Sequence, residues 1–205
     1  MKGFVLSLTK GKNEDMIALV LTRYEVQSYY RFFGARHSIL QVGHLIDFEV
    51  EGDGGRFLPR LRNLSHIGFP WIFEHNRLLI WHNFIKLFVP HLKDAHEVDS
   101  FYFDLLLHGA KRWHKQNPKR IICELYLSLL ICEGRLHLPQ DCYICETKLD
   151  DSVALMRSFL PAHPHCIDSS PLSKDKLLEF YQTKKTINLT DEEVSHLYDI
   201  ILKGL

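Results

Sequence analysis

The sequence predicts an α+β chain of two domains, a five-stranded β-barrel followed by a helical bundle. Three observations predict it. Residues 1–75 hold five short β-prone runs separated by turn residues. From Asn76 the apolar residues recur at helical spacing instead. Between Cys142 and Cys166 two short turns present four metal-ligand side chains.

The strands come first. Residues 2–8 alternate and lead into a polar turn, and residues 15–22 form a second apolar run, so the two read as a hairpin. Residues 26–33 (VQSYYRFF) are aromatic and end at Gly34. Residues 44–52 alternate, with Leu45, Asp47 and Glu49 on one face and His44, Ile46, Phe48 and Val50 on the other. Asp53, Gly54 and Gly55 read as a tight hairpin turn. The run from Arg56 follows, and Pro59 marks it as an edge strand. Five strands in about 70 residues suit an OB-type barrel.

The helices follow. Leu78, Leu79, Trp81, Ile85 and Phe88 define one apolar face. A second helix is expected over about 97–116, opened by Asp99 or Ser100 and closed by Pro118, with Phe103, Leu106, Leu107, Ala110 and Trp113 inward. Residues 120–133 are apolar nearly all round, as befits the centre of a bundle. Cys123 and Cys132 read there as buried small hydrophobes. A short helix spans 174–181, and a capping box at Thr190 and Glu193 opens a last one through Leu202. The expected domains are residues 1–75 and 76–205, with the metal-binding insertion at about 140–168.

Cys142 and Cys145 form a CxxC turn; after seventeen intervening residues, His163 and Cys166 repeat its pitch. Two such turns fill four corners of a tetrahedron with ligands that zinc accepts. With no corner left for water, the zinc is structural rather than hydrolytic. His165 is the rival to His163 as third ligand. A redox pair would call for a thioredoxin-like βαβ context, which the pattern lacks. A disulfide framework sits badly with five cysteines and no secretion signal.

Bulk properties narrow the function. Basic and acidic residues balance, 25 against 25, so any nucleic-acid site must be a local patch. No apolar run is long enough to span a bilayer, and the opening residues read as a strand rather than a leader. The expected location is cytoplasmic. There is no nucleophile elbow, no phosphate-cradling glycine loop and no HExxH helix, so the chain is not read as an enzyme.

Residues 3–6 (GFVL), 14–22 (EDMIALVLT), 34–38 (GARHS), 41–43 (QVG) and the run from Arg120 to Cys142 together resemble the RecO family of bacterial recombination mediators. Residues 3–6 (GFVL) and 14–22 (EDMIALVLT) look like its first hairpin. Residues 34–38 (GARHS) are similar to its glycine-alanine-arginine turn, and 41–43 (QVG) to its glutamine-proline-glycine step. Residues 120–134, then Leu138, Pro139 and Cys142, resemble its central helix, glycine, proline and first metal cysteine. The resemblance implies an N-terminal OB fold and a zinc-bearing helical domain. It also implies binding of single- and double-stranded DNA and annealing of complementary strands. Working with RecR, such proteins load RecA onto strands covered by single-strand-binding protein, whose acidic C-terminal tail they hold. The family commonly has four metal cysteines; here one is His163.

An OB barrel holds a strand by stacking bases on aromatics and pairing phosphates with cations. The DNA candidates are Tyr30, Arg31, Arg36 and His37, joined by Lys10 and Lys12 in the first turn. A denser basic cluster, Lys111, Arg112, Lys115, Lys119 and Arg120, is a second candidate patch, expected to continue that of the barrel. Arg56, Arg60 and Arg62 read as a solvated face that blunts sheet pairing. The competing reading is a zinc-stabilised protein-protein adaptor with little direct DNA contact, its helices offering a groove to a partner peptide.

Overall fold

A computed structural model describes residues 1–36, 39–52 and 57–205. The expected Asp53–Gly55 turn, and His37 and Arg56 among the basic candidates, lie outside the described residues. The chain divides into two compact units, residues 1–114 and 115–205.

The first unit contains the barrel. Its strands are β1 (Lys2–Lys10), β2 (Met16–Leu21), β3 (Val26–Arg31), β4 (Leu45–Glu51) and β5 (Arg60–Ile67). They close in the order β1-β2-β3-β5-β4, all neighbours antiparallel except β3 and β5. That order, with one parallel closure, is the OB topology. The sequence reading of β5 as an edge strand is corrected here. Pro59 precedes the strand instead of lying in it, and a closed barrel has no edge.

Alternation splits the barrel residues into two sets. Val5, Ala18, Val20, Tyr29, Ile46, Phe48 and Leu61 fill the interior. Phe4 and Leu45 point outward and are nonetheless buried. The reason is α1 (His75–His91) and α2 (Ser100–Arg112): the Phe4 ring lies 6.1 Å from Trp81 and 5.5 Å from Phe103. Trp71, Trp81 and Trp113 meet between these helices, with centroids 4.9–5.8 Å apart. Each indole N–H donates to a backbone carbonyl, of Ala110, Gly43 and Arg77 respectively. So these large rings are buried without an orphaned donor. The expected boundary near residue 75 marks the end of the barrel strands, while the compact unit extends through both helices to His114.

Helix boundaries shift slightly from expectation. Asp99 is the N-cap of α2, accepting from the Phe101 N–H. That helix stops at Arg112, short of the expected 116. Pro118 does not close α2. It sits in the first turn of α3 (Pro118–Cys132), capped by Asn117, where a missing N–H does no harm. Leu79, expected inward, is exposed on α1.

In the second unit α3 is the centre, with Ile121 through Leu127, Leu129 and Leu130 buried. Cys123 is buried as expected, but Cys132, at the solvent end of the helix, is exposed. α3 packs against the terminal helix, residues 191–201. Between them come β6 (Ser152–Leu155), β7 (Pro161–Ala162), α4 (Pro164–Ile167), β8 (Leu172–Ser173), α5 (Lys174–Thr183) and then α6 (Asp191–Ile201). The three short strands pair in the order β7-β6-β8. The Thr190–Glu193 capping box is formed in both directions.

Candidate metal centre and nucleic-acid face

The metal cluster is built on the segment after α3. Gly134, at φ +66°, turns the chain out of the helix. Cys142 and Cys145 then sit on a knuckle: the Glu146 N–H donates to the Cys142 carbonyl at 2.8 Å, and the Cys142 N–H to the Thr147 carbonyl at 2.8 Å. Glu146 takes φ +59° to close it. His163 follows β7 directly, and Cys166 lies on α4 three residues on. The Tyr143 N–H bonds the Pro161 carbonyl at 2.9 Å, so the first knuckle is stitched to the strand that presents the second.

The ligand atoms of Cys142, Cys145, His163 and Cys166 all lie within 4.8 Å of one another. His163 Nδ1 is 3.4 Å from Cys145 Sγ and 3.9 Å from Cys166 Sγ. Its Nε2 lies 3.1 Å from the Lys148 carbonyl. A proton on Nε2 donated there leaves Nδ1 as a lone-pair donor facing the sulfurs, a typical outer support for a ligating imidazole. Of the two rival histidines, His163 joins the sulfurs; His165 stacks beside it, centroid to centroid 5.0 Å.

The thiols differ. Burial pushes the Cys142 thiol up, but the N–H groups of Cys145, His163 and Ile144 outweigh it and bring it down to about 6. Burial and the neighbouring thiols push Cys166 up to about 11. Amides aimed at Cys142 favour its thiolate, the form that binds a metal. Three sulfurs and one imidazole fit zinc, with bonds of about 2.0–2.3 Å, and complete a closed tetrahedron.

The nucleic-acid candidates fare unevenly. Lys10 and Lys12 are exposed. Tyr29 is inside the barrel, edge-on to Phe48 at 5.4 Å. Tyr30 faces out, and its hydroxyl donates to Asp15, which holds the phenol above its usual range. Arg31 donates to the Leu61 carbonyl at 2.9 Å, across the β3–β5 closure. Arg36 pairs with Glu14 and lies over the Phe33 ring. Sequence reasoning ran β3 on through Phe33; the strand ends at Arg31, which frees Phe32 from the alternation. It also read Arg60 as a plain solvated cation. In the structure Arg60 sits 4.9 Å over Phe32, beside an exposed Phe57.

The second basic cluster is divided. Lys111 and Arg112 belong to the first unit, Lys115, Lys119 and Arg120 to the second. Lys119 donates to Ser195 at 2.7 Å and lies over Tyr198. Arg120 binds Asp191 and the carbonyls of Thr186 and Leu189. Lys119 is thus held against α6, and Arg120 ties α3 to the start of α6 and the segment before it, rather than facing outward. Lys111 and Lys115 are exposed.

The architecture is a closed OB-topology barrel followed by helices that carry a Cys3His cluster, and among the described residues no helix is long and apolar enough to cross a bilayer. Residues 1–72 match the family model described as RecO N terminal. The match covers about a third of the 205-residue chain and likens its N-terminal segment to that family. No match is found among the curated proteins.

Proposed function

We propose that the chain is a RecO-type mediator of DNA recombination and repair, a cytoplasmic, nucleoid-associated protein that binds single- and double-stranded DNA and anneals complementary strands. With RecR it helps load RecA onto strands covered by single-strand-binding protein. It is a passive platform, not an enzyme. One observation carries the reading: the segment that matches the RecO N-terminal family is the segment that closes as an OB-order barrel. A strand-annealing assay with complementary labelled oligonucleotides tests it; acceleration over the spontaneous rate is expected, and none contradicts it.

The metal in this reading is one structural zinc held by Cys142, Cys145, His163 and Cys166. It fixes the segment between α3 and α5 and takes no part in chemistry.

A specific feature also favours peptide docking, the core of the adaptor reading. A groove of about 530 Å³ in the first unit is floored by Leu45, Ile67, Phe69, Phe103 and Leu107 and rimmed by Lys2, Arg23 and Lys111. Apolar floor and cationic rim suit the acidic tail of single-strand-binding protein. Arg23 is partly engaged by Asp104, at 2.6 Å. Fluorescence anisotropy with a labelled acidic tail peptide separates the readings. Tail binding without DNA binding leaves the adaptor alone; binding of both fits the mediator.

A further inference from the structure

The second unit carries an open groove beside the metal knuckle. Leu136, Leu138, Tyr143 and Pro161 give it apolar walls, Asp141 and Glu146 give it charge, and its volume is about 850 Å³. Cys142 lines it too, so the groove borders the metal cluster itself. Leu138 is 54% exposed, Tyr143 60% and the neighbouring Ile144 52%. Large apolar side chains held open to water at one spot mark an interaction site, and tyrosine is enriched at the centre of protein interfaces.

The backbone beneath these side chains is fixed. The Tyr143 N–H donates to the Pro161 carbonyl at 2.9 Å, and the Ile144 N–H to Cys142 Sγ at 3.4 Å. The Gln140 N–H donates to the Leu138 carbonyl at 2.8 Å, and the Leu149 N–H to the Gln140 carbonyl at 2.9 Å. A partner meets a surface that is already ordered, so docking costs little conformational entropy on this side. The charge has one sign. Among the described residues that line the groove there is no lysine or arginine. Arg135, just before it, is engaged by Glu133 and Ser158, each at 2.7 Å. When a zinc ion is bound, three thiolates around one dication leave the cluster a net negative charge as well.

We infer that this groove docks a short segment of a partner protein in which a lysine or arginine stands between bulky aliphatic side chains. The aliphatic groups cover Leu138, Tyr143 and Ile144, and the cation faces Asp141 and Glu146. The same negative field repels a phosphate backbone, and it repels the acidic tail peptide that suits the cationic rim of the first unit's groove. The two grooves therefore select peptides of opposite charge. DNA binding is not required for this docking. The metal, by fixing the knuckle, also shapes the partner's seat.

The test uses the full zinc-loaded chain. Fluorescence anisotropy follows a labelled peptide of sequence LKLRL and its acidic counterpart LELDL against wild type, Asp141→Asn/Glu146→Gln and Leu138→Ser/Tyr143→Ser. All four positions are exposed and none is a metal ligand; zinc content verifies that the knuckle is intact. Wild type is expected to bind LKLRL saturably and LELDL not at all. Affinity for LKLRL is expected to fall about fivefold in the charge variant and about tenfold or more in the apolar one. Single-stranded DNA affinity is expected to hold in both. Should the apolar variant lose its zinc, the near-isosteric charge variant decides alone. No saturation by LKLRL, equal binding of the two peptides, or one affinity across all three proteins overturns the inference and leaves the DNA-binding reading standing. Loss of DNA affinity in the zinc-loaded apolar variant assigns the groove to the strand and overturns it as well.

Discussion

Gly43 shows how a single residue ties the barrel to its first helix. Its φ is +81°, and a Cβ built there would fall 2.8 Å from the Trp81 ring. Its carbonyl accepts the Trp81 N–H at 2.9 Å. Gly43→Ala therefore faces both a backbone penalty and a clash. A loss of about 1–3 kcal/mol is expected, read as a lower urea midpoint; an unchanged midpoint would contradict the account. The next residue supplies a pH dependence. Burial, then the neighbouring His66 and His82, lower His44 from 6.5 to about 4. The His44 ring lies 4.3 Å from that of His66, tilted by 34°, and Lys86 further disfavours charge on His82. Because the folded value is the lower one, the unfolded chain takes up the proton first. Stability is then full above about 6.5 and falls between there and about 4. His44→Phe should flatten that part of the pH–stability curve relative to wild type, whereas parallel curves would exclude His44 as the cause. Gly34 was visible in the sequence as a turn glycine, and Gly43 only through the resemblance of residues 41–43 to a family segment. The grouping of His44, His66 and His82 was not, because they come from three distant segments.

At the scale of elements, the metal knuckle is the most legible feature and the short sheet around it the least. Four ligands at a fixed pitch declare themselves. β6, β7 and β8 are two to four residues long and carry no periodicity to read. They exist because the metal segment must return to the helices, and the knuckle sets its path. Chelation should thus expose residues 140–170 to protease while residues 1–75 stay resistant, as followed by mass spectrometry of the fragments. Simultaneous loss of both would contradict a metal role confined to the second unit. The basic cluster teaches the opposite lesson. Composition cannot distinguish Lys111 and Lys115, which face water, from Arg120, which ties α3 to Thr186, Leu189 and Asp191. Arg120→Ala should destabilise the chain by about 1–3 kcal/mol and leave the salt slope of DNA binding unchanged. Lys111→Ala with Lys115→Ala should reduce that slope and leave stability nearly unchanged. The reverse pattern would return Arg120 to the DNA site.

For the whole molecule, the five barrel strands and the five longer helices were legible because barrel alternation and helical spacing are strong signals in this chain, whereas α4 and β6–β8 were not. The extent of the first compact unit was not. Phe4 and Leu45 alternate outward as solvent-facing residues should, and only the packing of Trp81 and Phe103 explains why they are apolar. Net neutrality, with 25 charges of each sign, means that DNA affinity cannot come from bulk charge. Any such affinity must come from local patches, with the exposed Lys10, Lys12, Arg60, Lys111 and Lys115 as the candidates. The most direct measurement is a titration of labelled single-stranded DNA at two salt concentrations. The account predicts micromolar or tighter binding that weakens as salt rises. Absence of binding at the lower salt, or binding indifferent to salt, would contradict it.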